Sequence, residues 1–340
     1  MTTRLLPLLA VIALLVTFLP PGRLSAQDDA ADSTDINQLF VVPEGDDVAK
    51  LARFLQRLTE FQPSSREDVK IYQRKAPLAM RKAAEKIVSL EKDTKSNAYR
   101  AAKRHLLSEQ ARKLSESEDT SDADRKKMLD ELLKFIASGE PTAADASLAI
   151  GYAVDLEYVP AREAAIEAYS KFGQLFAESK DAELASRGKM LLGAAKRLNL
   201  VGQPFELKGT TLDGQPFDIA SLRGKVVLVD FWATWCGPCL AEYPNIKANY
   251  EAFKDRGFEV VGVSIDDDRP ALEEFVAKTK IPWPTLHDKE NKGQHPATIE
   301  YGIFGIPNVI LVGKDGKVVS TRARGEELGR YLKELLGESK

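Results

Sequence analysis

The chain has 340 residues, which is more than one domain usually contains, so we expect two domains and a targeting segment. Its composition, 44% hydrophobic and 29% charged, excludes a wholly disordered, collagen-like or polytopic membrane protein. The 48 basic and 51 acidic residues nearly balance, so we expect no nucleic-acid partner. The two cysteines allow one disulfide at most.

The N-terminus predicts export from the cytoplasm. Residues 1–26 are typical of a signal peptide, with Arg4 before an apolar run over residues 5–19 and the small residue Ala26 at the end. The run is shorter than the roughly 20 apolar residues of a membrane-spanning helix. This length favours cleavage, and a retained N-terminal anchor is the alternative. We therefore expect a soluble periplasmic or secreted protein, in a compartment where disulfides persist. The acidic residues 27–45 predict a flexible leader.

Residues 46–200 predict an all-α domain. Leu51 and Leu55 begin a series of apolar residues at helical spacing, and Ser65 followed by Asp68 is typical of a helix start. Six or seven helices in antiparallel hairpins fit this length. We interpret the apolar stripes as core packing, and the region contains no cysteine. The sequence therefore assigns it no chemistry of its own.

Residues 201–340 predict a second domain of α/β class. Short β-rich runs alternate with helical segments, and continuous apolar runs indicate buried strands. This order predicts a mixed sheet with helices on both faces. The predicted strands are 205–208 and 215–218 as a hairpin, 226–231, 258–265, 309–312 and 318–319, and the predicted helices are 236–253, 270–280, 296–301 and 326–336.

Cys236 and Cys239 carry the main chemical signal, and three kinds of site use this spacing. A structural bridge gains little, because closing so short a loop removes only about 2 kcal/mol of chain entropy. Zinc needs four ligands, and the nearby candidates, His287 and His295, are spaced unlike common zinc sites. We therefore favour a redox-active disulfide with no bound cofactor and no metal.

The predicted helix start explains why this pair suits redox chemistry. Cys236 would be the N-cap, where free backbone N–H groups and the helix dipole favour a thiolate, so it is the expected nucleophile. Pro238 fits the first turn, where the missing N–H has no helical acceptor. Cys239, three residues on, can resolve a mixed disulfide. We expect Gly237 to let a substrate backbone approach and Trp235 to lie at the rim of the site.

These residues carry a resemblance to a known family. Residues 227–239 resemble the active-site segment of thioredoxins, and residues 204–340 resemble the TlpA/ResA-like secreted thiol-disulfide oxidoreductases. The leading hairpin, residues 222–227, Glu242 after the second cysteine, and residues 305–307 carry the second likeness. The resemblance implies a thioredoxin-like fold for this part of the chain.

The resemblance also implies roles for individual residues. Cys236 would attack and Cys239 would resolve, while a cis Pro307 would pack against the pair. The backbone of Ile306 would pair with an extended client peptide. Asp230 matches the buried carboxylate of thioredoxins, whose raised pKa would let it take the proton of Cys239 as a general base. The alternative is that Asp230 is an ordinary hydrogen-bonded strand residue.

The sequence departs from the family pattern at three positions. Asp230 stands where TlpA/ResA-like proteins usually carry asparagine, Gly262 lies near the place of the thioredoxin lysine, and Asn308 stands where threonine often follows the cis-proline. These differences leave the reduction potential open. Glu242 is a candidate for tuning the site, and a solvated helix carboxylate is the alternative.

We predict an extracytoplasmic thiol-disulfide oxidoreductase that reduces or isomerises disulfides in client proteins. Its reductant would come from a membrane thiol-disulfide carrier, and the Gly-Pro pair between the cysteines favours reduction over net oxidation. One alternative is a thiol peroxidase, although Ala233 stands where that chemistry would want threonine or serine. The other is a helical partner-binding scaffold that carries a redox-sensitive module.

Overall fold

The computed structural model describes residues 36–117, 119–288 and 295–337. The predicted signal peptide and residues 27–35 of the predicted leader lie outside them. Within the range of the predicted leader, Ile36–Phe40 forms a short 3₁₀ helix. Phe40 is buried there, 6.1 Å from the ring of Tyr72, and burying the ring fixes this segment.

Seven helices lie between residues 48 and 198 of the described chain, in agreement with the predicted six or seven. Six of these seven helices, all but the sixth, have a side-chain cap at the N-terminus, and Ser65 forms a reciprocal capping box with Asp68. Two successive cores hold them together, one around α1 to α3 and a larger one around α3 to α7. The helices are α1 Val48–Glu60, α2 Arg66–Leu90, α3 Asn97–Glu116, α4 Asp122–Ala137, α5 Ala143–Glu157, α6 Arg162–Ala177 and α7 Ala182–Leu198.

A mixed five-stranded sheet follows, with strand order β5-β4-β3-β6-β7. The central β3 is parallel to β4 and antiparallel to β6, and β1 and β2 form a separate hairpin. The strands are β1 Lys208–Thr210, β2 Pro216–Asp218, β3 Val226–Trp232, β4 Phe258–Ser264, β5 Thr285–Leu286, β6 Asn308–Val312 and β7 Val318–Ser320. The helices are α8 Gly237–Phe253, α9 Arg269–Thr279, α10 Pro296–Glu300 and α11 Glu326–Leu336.

Alternate residues of β3 face two different cores, as strand geometry requires. Val226 and Leu228 pack beneath α8 and α11, whereas Val227 and Val229 pack on the face that α10 covers. Both faces of the sheet are therefore covered, which confirms the predicted fold class of an α/β thioredoxin-like region preceded by an all-α region.

The chain between α7 and β3 hydrogen-bonds to part of the outer edge of each outer strand of the sheet. The strand predicted at 205–208 begins three residues later, because the chain just before it runs along β7. Gly202 donates to Val318 and Phe205 to Gly316, with N–O distances of 2.8 and 3.1 Å. On the opposite edge, the N–H of Leu212 donates to Thr285 of β5 at 3.0 Å. The segment that joins the helices to the sheet thus reaches both edges.

Candidate active site

Cys236 and Cys239 lie at the N-terminus of α8, shortly after the end of β3. Cys236 is the helix N-cap, as predicted, and its Sγ accepts the backbone N–H of Cys239 at 3.2 Å. The two sulfurs form a disulfide, and the residues are 5% and 6% exposed. Pro238 lies in the first turn, where it interrupts no helical hydrogen bond. The local sequence therefore places a nearly buried disulfide at the N-terminus of α8.

A buried carboxylate just after β4 holds the loop before the disulfide. Asp266, 2% exposed, accepts the backbone N–H of Thr234 at 3.0 Å and also its hydroxyl. Ser264 donates its hydroxyl to the other carboxylate oxygen at 2.8 Å. Because Thr234 is two residues before Cys236, these bonds fix the approach of the chain to the helix.

Asp230 lies on the face of β3 that packs beneath α8, the helix that carries the cysteines. Burial raises its pKa to about 7, the positive charge of Arg324 opposes this rise, and the negative charge of Glu242 adds to it. In the strand register Asp230 pairs with Gly262, and a Cβ on Gly262 would lie 2.8 Å from the indole nitrogen of Trp232. The indole therefore occupies space that any side chain at this position would need.

Glu242 ties α8 to the turn that precedes α11. It accepts the backbone N–H of Gly325 at 2.8 Å and the side-chain amide of Asn245 at 2.7 Å. The same turn carries Arg324, which donates to the carbonyl of Pro307 at 3.3 Å. Glu242 is therefore half-buried and bonded within the site region, and is not a freely solvated carboxylate.

The peptide bond between Ile306 and Pro307 is cis, as the family resemblance predicts. The Ile306 side chain packs against the cluster that contains both cysteines and Trp232. The cis-proline turn and the disulfide, about 70 residues apart in sequence, are thus brought together by the pairing of β3 with β6.

Three predicted substrate-contacting residues lie at the solvent side of the disulfide. Trp235 is 65% exposed, and Gly237 and Pro238 are also exposed. Open space surrounds Gly237, since a Cβ built there would meet no heavy atom within 4 Å. An external backbone can therefore reach the edge of the disulfide at this glycine.

The two histidines considered as zinc ligands have other partners. His287 Nε2 lies 2.8 Å from the backbone oxygen of Asp266, and His295 Nδ1 accepts the N–H of Ala297 at the start of α10. Burial lowers the pKa of His295. Within the described ranges no three His, Cys, Asp or Glu side chains are grouped as metal ligands would be.

Sequence reasoning missed Asp266 and Arg324. Asp266 follows a buried strand within an Ile-Asp-Asp-Asp run, and the carboxyl end of a strand next to the redox motif was a usable signal. Arg324 had no such signal, because its contact with Pro307 depends on how the final turn folds back.

Comparisons with known proteins place the C-terminal part of the chain in a family. Residues 199–334 match the Redoxin family. The thiol-disulfide oxidoreductase ResA of Bacillus thuringiensis subsp. konkukian is 33% identical over 127 residues, covering 37% of this chain and 70% of that protein. The ResA of Bacillus subtilis is 30% identical over 115 residues, covering 34% and 61%.

Among solved structures, the thioredoxin domain of a thiol-disulfide oxidoreductase from Bacteroides vulgatus is 31% identical, with a TM-score of 0.37, and covers 40% of this chain and 97% of that one. A putative thiol:disulfide interchange protein DsbE from Chlorobium tepidum is 26% identical, with a TM-score of 0.36, and the match covers 39% of this chain and 95% of that one. On the sequence match to ResA, the chain belongs to the ResA-like thiol-disulfide oxidoreductases of the thioredoxin superfamily, with an additional N-terminal helical region.

Proposed function

We propose that this thiol-disulfide oxidoreductase reduces or isomerises disulfides in client proteins outside the cytoplasm, and that Cys236 and Cys239 carry the reaction. The observation that carries the proposal is the disulfide at the N-terminus of α8, with a backbone N–H aimed at the Cys236 sulfur and the cis-proline turn packed beside it. Donors directed at a sulfur stabilise it as an anion, which is the form that attacks a disulfide.

The reaction is two successive exchanges. In the reduced enzyme the Cys236 thiolate attacks a client disulfide, a client–Cys236 bond forms, and one client sulfur leaves as a thiolate. The Cys239 thiolate then attacks Cys236, which re-forms the Cys236–Cys239 bond and releases the second client sulfur. The client gains two electrons and two protons, and the enzyme is left oxidised.

Asp230 supplies the proton acceptor for the second exchange. Cys239 must lose its proton before it can attack, and a carboxylate whose pKa is raised to about 7 is half-ionised near neutral pH. A general base with a pKa near the working pH combines availability with proton affinity. Glu242 and Arg324 act on this base through their opposite charges.

The client lies across the exposed rim of the disulfide. Trp235 offers a large exposed ring, Gly237 leaves room for a backbone, and Ile306 provides the peptide group that pairs with an extended client. Such pairing recognises a main chain and not a sequence, which suits an enzyme with several clients.

The location and the electron donor rest on the N-terminal sequence and on the chemistry. We propose that residues 1–26 direct export, that 46–200 and 201–340 are separate domains, and that a membrane thiol-disulfide carrier reduces the Cys236–Cys239 pair. Over the part of the chain that the structure covers, none of the helices has the length and apolar character of a membrane span. Cell fractionation, with mass measurement of the mature N-terminus, tests the export proposal.

Two cysteine variants test the reaction. Cys236→Ser should abolish reduction of insulin, and Cys239→Ser should accumulate mixed disulfides with clients that mass spectrometry identifies. A reduction potential of the full chain near −120 mV, typical of a strong oxidant, would reverse the proposed direction. Peroxide consumption faster than disulfide reduction would support the thiol peroxidase alternative instead.

A further inference from the structure

The last helix of the helical region, α7, lies directly against the segment that leads to the cis-proline. A Cβ on Gly193 would be 2.3 Å from the carbonyl oxygen of Ile299 and 2.7 Å from the nitrogen of Gly302. Gly302 has a φ of +55°, and a Cβ there would be 2.1 Å from the nitrogen of Ala194. The two backbones therefore touch with no side chain between them.

A buried ion pair joins three helices to the same segment. Arg197 is 3% exposed and donates its Nε to the carbonyl of Tyr301 at 3.0 Å. Its other two nitrogens donate to both carboxylate oxygens of Glu157, at 2.7 and 2.8 Å, and Tyr169 donates its hydroxyl to the same carboxylate. Such a bidentate pair is geometrically restrictive, so it fixes the Tyr301 carbonyl relative to α5, α6 and α7.

Two more contacts reach closer to the redox site. The ring of Tyr169 stacks on Phe304 with centroids 6.0 Å apart, and Phe304 is three residues before Pro307. Arg322 donates to the backbone carbonyl of Glu157, and it is two residues before Arg324, which bonds to Pro307. The segment just before Pro307 and the segment that carries Arg324 therefore both contact the helical region.

We infer that the helical region positions the cis-proline turn for client exchange, with Tyr169 and Arg197 as positioning residues that act through Phe304 and Tyr301. This inference deepens the proposed function and rests on it, because it concerns the turn at which a client is proposed to pair. Close-packed interiors transmit displacement, and a misplacement of about 1 Å can slow a reaction roughly a hundredfold. The matched family region begins at residue 199, so this support comes from residues outside it.

An added methyl group between α7 and residues 299–302 tests the inference without a change at the redox site. Gly193→Ala places a methyl group against the backbone of Ile299. Gly188→Ala is the matched control, because it lies in the same helix and its Cβ would be 2.3 Å from the nitrogen of Ala177, inside the helical region. Both changes add one methyl group and gain the same helix propensity.

A second pair of variants avoids buried positions. Arg322→Ala removes an exposed side chain that bonds to Glu157. Its control, Arg330→Ala, removes the same charge from α11, where Arg330 pairs with Glu327 and Glu334. Arg322→Ala decides the test if near-ultraviolet circular dichroism shows that Gly193→Ala does not fold.

The assay compares two thiols with the oxidised full-length protein. One is an extended peptide of about ten residues with a single cysteine, and the other is 2-mercaptoethanol. In each case the thiolate attacks Cys236, a new disulfide forms to Cys236, the Cys236–Cys239 bond breaks, and Cys239 leaves as a thiolate that takes up a proton. Acid quenching and mass spectrometry give both rates, and their ratio measures recognition of the peptide.

We expect Gly193→Ala to lower the peptide rate roughly tenfold and to leave the 2-mercaptoethanol rate within about twofold. The inference is overturned if the ratio of the two rates stays at its wild-type value, if both rates fall equally, or if Gly188→Ala or Arg330→Ala lowers the ratio as much as its partner variant. A wild-type ratio that shows no preference for the peptide contradicts the proposed client-binding turn itself. That failure is visible before any variant is measured.

Discussion

Asp230→Asn should make the protein more stable at neutral and alkaline pH. Asparagine has nearly the shape of aspartate and no charge, so the change removes the cost of ionising a half-buried carboxyl beneath α8. Burial raises the pKa of this carboxyl from 3.8 to about 7 in the folded chain. The rise is about three pKa units, which at 1.36 kcal/mol per unit corresponds to about 4 kcal/mol.

The sign of the pH dependence follows from which state binds the proton. Below about pH 4 the carboxyl is protonated in both states, and it costs nothing. Between about pH 4 and pH 7 the unfolded chain has lost the proton while the folded chain retains it, so the wild type loses stability as the pH rises. Above about pH 7 both states are ionised and the loss is complete. The variant has no such dependence at this position.

Urea unfolding of the oxidised proteins between pH 4 and pH 9 measures this effect. The stability difference between Asp230→Asn and the wild type should widen by about 4 kcal/mol from pH 4 to pH 8, in favour of the variant. Asp255→Asn, which removes an exposed carboxylate after α8, should show no such widening. A difference that stays constant with pH, or one that widens as the pH falls, would refute the account of Asp230.

Further changes test the groups around Asp230 and the loop before the disulfide. Arg324→Gln should raise the pH at which disulfide reduction is half-maximal, and Glu242→Gln should lower it. The charge of Arg324 lowers the pKa of Asp230 and that of Glu242 raises it, although burial is the main cause of the shift. The pH–rate profiles of the two reduced variants measure these two changes. Asp266→Ala removes the acceptor of two Thr234 donors and should lower the free energy of unfolding by about 3 kcal/mol. Denaturant titration checks this cost, and unchanged stability would contradict the anchoring role of Asp266.

The long apolar strands and the helices with clear start signals could be predicted from the sequence. The run predicted as a strand over 226–231 is β3, one residue longer, because continuous burial on both faces leaves a strong local pattern. The helix predicted over 326–336 has those bounds in the structure. The two-residue β5 was missed, since two residues carry no periodicity and their pairing depends on β4.

In the site, too, features set by neighbouring residues could be predicted, and features set by distant segments could not. The position of Cys236 at a helix N-cap followed from its neighbours, because Pro238 and the preceding strand are local signals. The contact of Arg324 with Pro307 and the close approach at Gly193 depend on segments distant in sequence. A glycine that lets two backbones touch has the same local sequence signal as a glycine that faces solvent.

The pairing along both outer strands of the sheet limits how another chain can join this protein. An unpaired strand edge accepts further strands, which is a common route both to ligand recognition and to aggregation. Here residues 202–205 occupy the free side of β7 and Leu212 occupies that of β5. A partner polypeptide therefore cannot extend the sheet as a sixth strand along those paired stretches, and main-chain recognition is directed to turns such as the one at Ile306. The connecting segment thus blocks strand addition at these positions while it links the two regions of the chain.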